Sequence, residues 1–149
     1  MTTPATEIKK VNVLYTAEAE VTGGRKGHGR STDGRLEVDL STPAGLSGDG
    51  GPGTNPEQLF AIGYAACFQS AMQGVARRLG LNVDDSKITS RVGVGQIGGG
   101  KFGLEVELQI SMPSVPDRVK AEELVAKADA VCPYSNAIRG NVAVTLTIL

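Results

Sequence analysis

From Leu59 to Ala76 the chain carries no charged residue. A helix through this run is apolar on every side until Arg77 and Arg78, so other elements must cover it all round. The run meets the bare length criterion for a membrane span. Gln69, Ser70, Gln73, the clustered alanines and Gly63 and Gly74 make it too polar for lipid, and it reads as the buried helix of a soluble domain. Its start is well marked: Asn55 suits the N-cap, Pro56 the first helical position and Glu57 the positive end of the dipole. Continued to about Leu79, the helix is roughly 30 Å long. One sheet and one short helix can hardly enclose it, so a second copy supplying the missing cover is the simplest remedy, and a two-fold dimer is the commonest symmetry.

The remaining pattern is mostly strand. Lys10 to Val21 alternates Val11, Val13, Tyr15, Ala17 and Ala19 with polar residues, the period of a half-buried strand. Lys26 to Ser31 forms a second strand ending at the hairpin signal Asp33-Gly34, and Leu36, Val38 and Leu40 mark a third. Ser41 to Gly53, rich in glycine and proline, is a loop. Beyond Gly80, Ile88 to Ile97 and Phe102 to Met112 read as an antiparallel hairpin turning at Gly98-Gly99-Gly100, with one wet face. Pro116 and Asp117 open a second helix, amphipathic through Val119, Leu124, Val125 and Ala128, which Cys132-Pro133 stops. Asn141 to Leu149 closes the chain as a strand. The order β-β-β-α-β-β-α-β predicts an α+β fold of mostly antiparallel sheets, with a long central buried helix and a second helix packed on them. The 149 residues suit a single domain, 1–149, with residues 1–7 expected to be flexible.

Fifteen basic residues against sixteen acidic ones leave no electrostatic footprint for nucleic acid or an anionic membrane. The basic cluster Arg25, Lys26, His28, Arg30 lacks the aromatics and net charge that nucleic-acid binding needs. The N-terminus has no basic-then-apolar signal pattern, which points to a reducing cytoplasm, where stable disulfides are uncommon. The two cysteines, Cys67 in the apolar run and Cys132 at a helix end, therefore need a chemical explanation. With one histidine, His28, and no CxxC, a metal site is poorly supported. Cys67 reads either as a small buried hydrophobe or as a redox thiol. Among Phe60, Tyr64 and Phe68 its pKa would rise and the thiol would be inert, unless a cation stabilised the thiolate. The helix dipole cannot act about three turns in, so an arginine must be brought to it. Arg139 and Asn136, beside Cys132, read as holding a helix end or loop rather than reacting.

Two segments, Asn55-Pro56-Glu57-Gln58-Leu59-Phe60-Ala61-Ile62-Gly63-Tyr64-Ala65-Ala66-Cys67-Phe68 and Val131-Cys132-Pro133-Tyr134-Ser135-Asn136-Ala137-Ile138-Arg139-Gly140-Asn141-Val142, closely resemble the two signatures of the organic hydroperoxide resistance proteins, the Ohr branch of the OsmC/Ohr superfamily. Thr22-Gly23-Gly24-Arg25 matches a third. The resemblance implies an intertwined homodimer with two active sites at its interface. It also implies a thiol peroxidase, without metal, haem or flavin, that reduces alkyl and fatty-acid hydroperoxides. On that resemblance Cys67 is the peroxidatic cysteine, Cys132 the resolving one, Arg25 the activating cation and Glu57 the carboxylate that fixes Arg25. A Cys67 sulfenic acid would condense with Cys132 to a disulfide that lipoyl dithiols on a partner protein reduce. Phe60, Tyr64, Phe68 and Tyr134 would suit an alkyl tail, although most buried rings only pack. Glu57 and Cys67 lie about 15 Å apart along one straight helix, so the Glu57 beside a given Cys67 is expected from the partner subunit. The alternatives are an OsmC-branch peroxidase and a non-catalytic redox sensor or hydrophobic-ligand carrier.

Overall fold

The computed structural model describes residues 8–149, so the expectation of flexibility over residues 1–7 lies outside them. The chain divides into two compact units, one ending at Thr54 and the other beginning at Asn55.

The uncharged run forms α1, Pro56–Leu79. Asn55 caps it as expected, its side chain accepting the Gln58 N–H at 2.8 Å, with Pro56 at the first helical position. It ends at Gly80, whose φ of 69° is the left-handed cap conformation open to glycine, and whose N–H reaches the Ala76 and Arg77 carbonyls. Tyr64, Phe68, Met72, Val75 and Ala76 make its buried face. Cover is incomplete in a single chain: Ile62, Ala66 and Ser70, spaced by four on another face, are exposed, Ile62 to 71%.

The second unit also holds β4 (Lys87–Gly98), β5 (Lys101–Ser111), α2 (Arg118–Val131), α3 (Pro133–Ile138) and β6 (Ala143–Ile148), with strand order β4-β5-β6. The hairpin turns at Gly98–Gly99–Gly100, all with positive φ, the run the sequence marks. Val106, Leu108 and Ile110 of β5 face the core, while Glu107 on the wet face bonds Arg91, Gln109 and Thr147. β6 pairs parallel to β5, because α2 and α3 form a crossover that returns the chain to the starting end. Asp117 caps α2, accepting the Val119 and Lys120 N–H groups. Its inner face is Ala121, Leu124, Val125 and Ala128; Val119, expected inward, is exposed. Pro133 ends α2 as expected but also opens α3, a helix absent from the sequence reading. Proline suits a first helical position for the reason it cannot extend a preceding helix: it has no N–H to donate.

In the first unit β1 (Ala19–Thr22), β2 (His28–Ser31) and β3 (Glu37–Asp39) form an antiparallel sheet. The strand expected over Lys10–Val21 is thus formed only at its end. Val11, Val13 and Tyr15 alternate as a strand does, but they are exposed and unladdered, because alternation supplies a face and not a neighbour to pair with. Lys26 belongs to a 3-10 turn, Gly24–Lys26, that precedes β2. The loop over 41–53 is closed at its base by Ser41 N–H to the Thr54 carbonyl and Thr54 N–H to the Asp39 carbonyl, both 2.9 Å. Gly29, Leu40 and Thr42 are the unit's only buried residues among those described.

Candidate active site

Helical periodicity puts Phe60, Gly63, Tyr64 and Cys67 on one face of α1, at i, i+3, i+4 and i+7. The first turn of α3 lies across that face. Cys132 is its N-cap and Tyr134 and Ser135 follow within the turn. The Cys67 and Cys132 sulfurs are 3.7 Å apart, both as free thiols, with Cys132 fully buried and Cys67 partly exposed. A disulfide needs about 2.05 Å, so a small approach closes it.

Burial pushes the Cys67 thiol above its ordinary value. The Tyr134 backbone N–H, one of the donors a helix start leaves without an internal partner, pulls it down, and the Cys132 thiol pushes it up again. Burial prevails. That is the direction its apolar surroundings suggested.

Phe60, Tyr64 and Tyr134 stack edgewise or tilted with ring centroids 5.7–6.1 Å apart. Tyr64 and Phe68 have no accessible surface and pack as core, which leaves Phe60 and Tyr134 as the rings a ligand can reach. Gly63 makes room for Tyr134: a Cβ there would lie 2.8 Å from the Tyr134 hydroxyl oxygen. Beneath these rings the Tyr64 hydroxyl and Ser135 Oγ share a buried hydrogen bond of 2.8 Å. Burial raises the Tyr64 pKa, against the Ser135 bond, and keeps the phenol neutral. At the far end of α3 the Arg139 guanidinium donates to the Asp129 carbonyl at 2.8 Å and to Asn136, holding the α2–α3 corner as the sequence suggested.

Glu57 sits in the first turn of α1, ten residues before Cys67 on the same helix. Arg25 belongs to the first unit, in the 3-10 turn Gly24–Lys26, where its carbonyl accepts from Thr42 Oγ1 at 3.5 Å. Gly23 and Gly24 take left-handed φ, and at Gly27 a Cβ would fall 1.6 Å from the Thr22 carbonyl oxygen, so the turn accepts only glycine there. His28 bonds Asp39 at 2.7 Å on the exposed sheet. Sequence reasoning missed Ser135 and the Tyr134 amide. The signal was present: a proline after Cys132 is a helix start as well as a stop, and a helix start presents free N–H donors.

The family model for OsmC-like proteins matches residues 48–147. The chain is 56% identical over 137 residues to an organic hydroperoxide resistance protein of Xanthomonas axonopodis pv. citri, covering 91% of this chain and 95% of that one. It is 44% identical to the organic hydroperoxide resistance protein OhrB of Bacillus subtilis, over 91% of this chain and 98% of the relative. Among solved structures, an organic hydroperoxide resistance protein from Legionella pneumophila superposes with a TM-score of 0.86 at 48% identity, covering 92% of this chain and 98% of that one. A Vibrio cholerae protein described as a putative organic hydroperoxide resistance protein, solved with captopril in one of its active sites, gives 0.87 at 41% identity, covering 94% and 95%. With signatures and family model in agreement with relatives and solved structures that cover nine-tenths of its length, the chain belongs to the OsmC/Ohr family, in the organic hydroperoxide resistance branch.

Proposed function

We propose that the chain is a cysteine-based peroxidase that reduces alkyl and fatty-acid hydroperoxides to alcohols. The observation that carries this reading is the pair of free thiols 3.7 Å apart, one partly exposed and the other buried. The Cys67 thiolate attacks the terminal peroxide oxygen; an S–O bond forms, the O–O bond breaks, and the alkoxide leaves and takes a proton to become the alcohol. Cys132 then attacks the Cys67 sulfenic sulfur; the S–S bond forms and the oxygen departs as water. A dithiol of the lipoyl class, carried on a protein, reduces the disulfide, and a reducing cytoplasm is the compartment that suits the cycle. Phe60 and Tyr134 offer apolar surface to an alkyl chain, which hydrogen peroxide could not use.

The working unit of this proposal is a homodimer. The Ile62, Ala66, Ser70 face of α1 and the thinly buried first unit both call for cover, since a three-stranded sheet without a packed face is marginal in water. Arg25, oriented by Glu57, is the cation that stabilises the Cys67 thiolate in this proposal. One equivalent of tert-butyl hydroperoxide, followed by non-reducing intact mass analysis, is expected to remove two hydrogens from the chain, mapped to Cys67 and Cys132. Native mass of the same sample is expected near 31 kDa, about twice the 15.4 kDa chain. Addition of one oxygen with no disulfide, or peroxide left unconsumed in the presence of a dithiol, would contradict the reading; a sensor or carrier would react once and stop.

A change at Gly27 tests the cation without touching it. Gly27→Ala must shift the Thr22–Gly27 backbone, because the Cβ meets a backbone oxygen and not a flexible side chain. Displacing Arg25 removes a cation from a thiol that burial pushes above its ordinary value. The thiolate then forms only as pH rises through that higher pKa, so the single-turnover rate at pH 7 is expected to fall about tenfold or more and to recover on the alkaline side. A pH–rate profile identical to wild type in a folded Gly27→Ala protein would refute the assignment.

A further inference from the structure

Two cross-links join α1 to the start of α3, and they share one spacing. Tyr64 precedes Cys67 by three residues on α1, and Ser135 follows Cys132 by three on α3. The buried Tyr64–Ser135 hydrogen bond and the Cys67–Cys132 pair are therefore successive rungs, one helical turn apart, between two segments running in opposite directions. The hydroxyl rung lies wholly inside the protein, with Tyr64 at 0% and Ser135 at 3% exposure. It is one of few polar contacts in a core that packing alone could fill, and the peroxidase chemistry does not use it. Apolar surfaces slide with little penalty, whereas a buried hydrogen bond has one register. Ring stacking fixes that register less tightly, because aromatic pairs accept centroid separations over roughly 4.5–7 Å.

From this ladder we infer that Tyr64 and Ser135 are positioning residues for resolution: their hydrogen bond holds the first turn of α3 in the register that keeps the Cys132 sulfur within reach of the Cys67 sulfenic acid. The inference rests on the peroxidase reading and adds a division of labour to it. Attack on the peroxide needs only Cys67 and its activating charge, while resolution needs α3 in place.

The two steps separate experimentally. Wild type, Tyr64→Phe, Ser135→Ala and the double variant are each mixed with one equivalent of tert-butyl hydroperoxide. Sulfenic acid is trapped with a dimedone probe at short times, and Cys67–Cys132 disulfide is followed by quenched mass analysis. Formation of the sulfenic acid is expected to stay within about twofold of wild type in all variants, while disulfide formation slows about tenfold in each single variant. The lingering sulfenic acid then goes on to sulfinic acid at correspondingly lower peroxide excess. The double variant separates positioning from stability. With both hydroxyls gone no buried polar group is orphaned, so its melting temperature is expected to return close to that of wild type while its resolution stays slow. Disulfide formation at the wild-type rate in the folded double variant overturns the inference, as does a loss of both steps by the same factor. A wild-type protein that itself forms no Cys67–Cys132 disulfide overturns the peroxidase reading, and this inference with it; a wild type that does, beside variants that match it, overturns this inference alone.

Discussion

Cys67→Ser is expected to abolish consumption of alkyl hydroperoxide, by at least about a thousandfold, while Cys132→Ser is expected to leave the first turnover intact and end the cycle there. The asymmetry follows from exposure. Cys67 is partly exposed and Cys132 is fully buried, so a substrate entering from solvent is expected to meet Cys67 first. Serine at 67 keeps nearly the size and the hydrogen bonding, but its hydroxyl is far less acidic and less nucleophilic than a thiol, so activity goes while the fold remains. Serine at 132 cannot attack the sulfenic sulfur. One equivalent of peroxide then yields one equivalent of sulfenic acid, which the Tyr134 N–H and the half-buried site hold until a dithiol or a second peroxide arrives. Rapid-mixing measurement of peroxide loss, with and without dithiol, separates the outcomes. Full turnover by either variant would reverse or remove the roles given to the two cysteines.

Much of this site was legible from the chain, because its parts are local. Asn55-Pro56-Glu57 names a helix start, and the uncharged run that follows names a helix needing cover on all sides; both are present in α1. The two cysteine contexts identify the family, and the fold brings their sulfurs together across 65 residues of sequence. What escaped was non-local. The strand expected over Lys10–Val21 forms only from Ala19, since a period of two specifies which side chains share a face and leaves the partner edge unspecified. The parallel β5–β6 pairing depends on where two helices set the chain down. Ser135 carries no local signal of its own: its hydroxyl meets Tyr64, 71 residues away, only because a helix begins at Pro133. Val119, expected on the apolar face of α2, is exposed, because the buried face runs through Ala121, Leu124, Val125 and Ala128, and a residue two before Ala121 points to the opposite side of the helix.

Pairing a weakened chain with an inactive one is expected to restore activity. Glu57 and Cys67 stand ten residues apart on a continuous α1, about 15 Å along the axis and on different sides, so one guanidinium cannot span both within one helix. In the proposed dimer, the carboxylate that orients the cation beside a given Cys67 is the partner subunit's Glu57. A Glu57→Gln homodimer then has every thiol next to a poorly held arginine and is expected to lose about tenfold in rate at pH 7, whereas a Cys67→Ser homodimer has no nucleophile at all. When the two chains are co-expressed with different tags and the mixed dimer is isolated, the Glu57→Gln chain supplies Cys67 and the Cys67→Ser chain supplies Glu57. Acting across the interface, they complete one of the two sites, and the mixed dimer is expected to reach about half the wild-type rate. If Glu57 served the Cys67 of its own chain, the only thiol present would sit beside glutamine, and the mixed dimer would show about a twentieth. The gap between those values is about tenfold, well outside the error of a peroxide-consumption assay, and it falls on one side or the other according to which chain's Glu57 acts on Cys67.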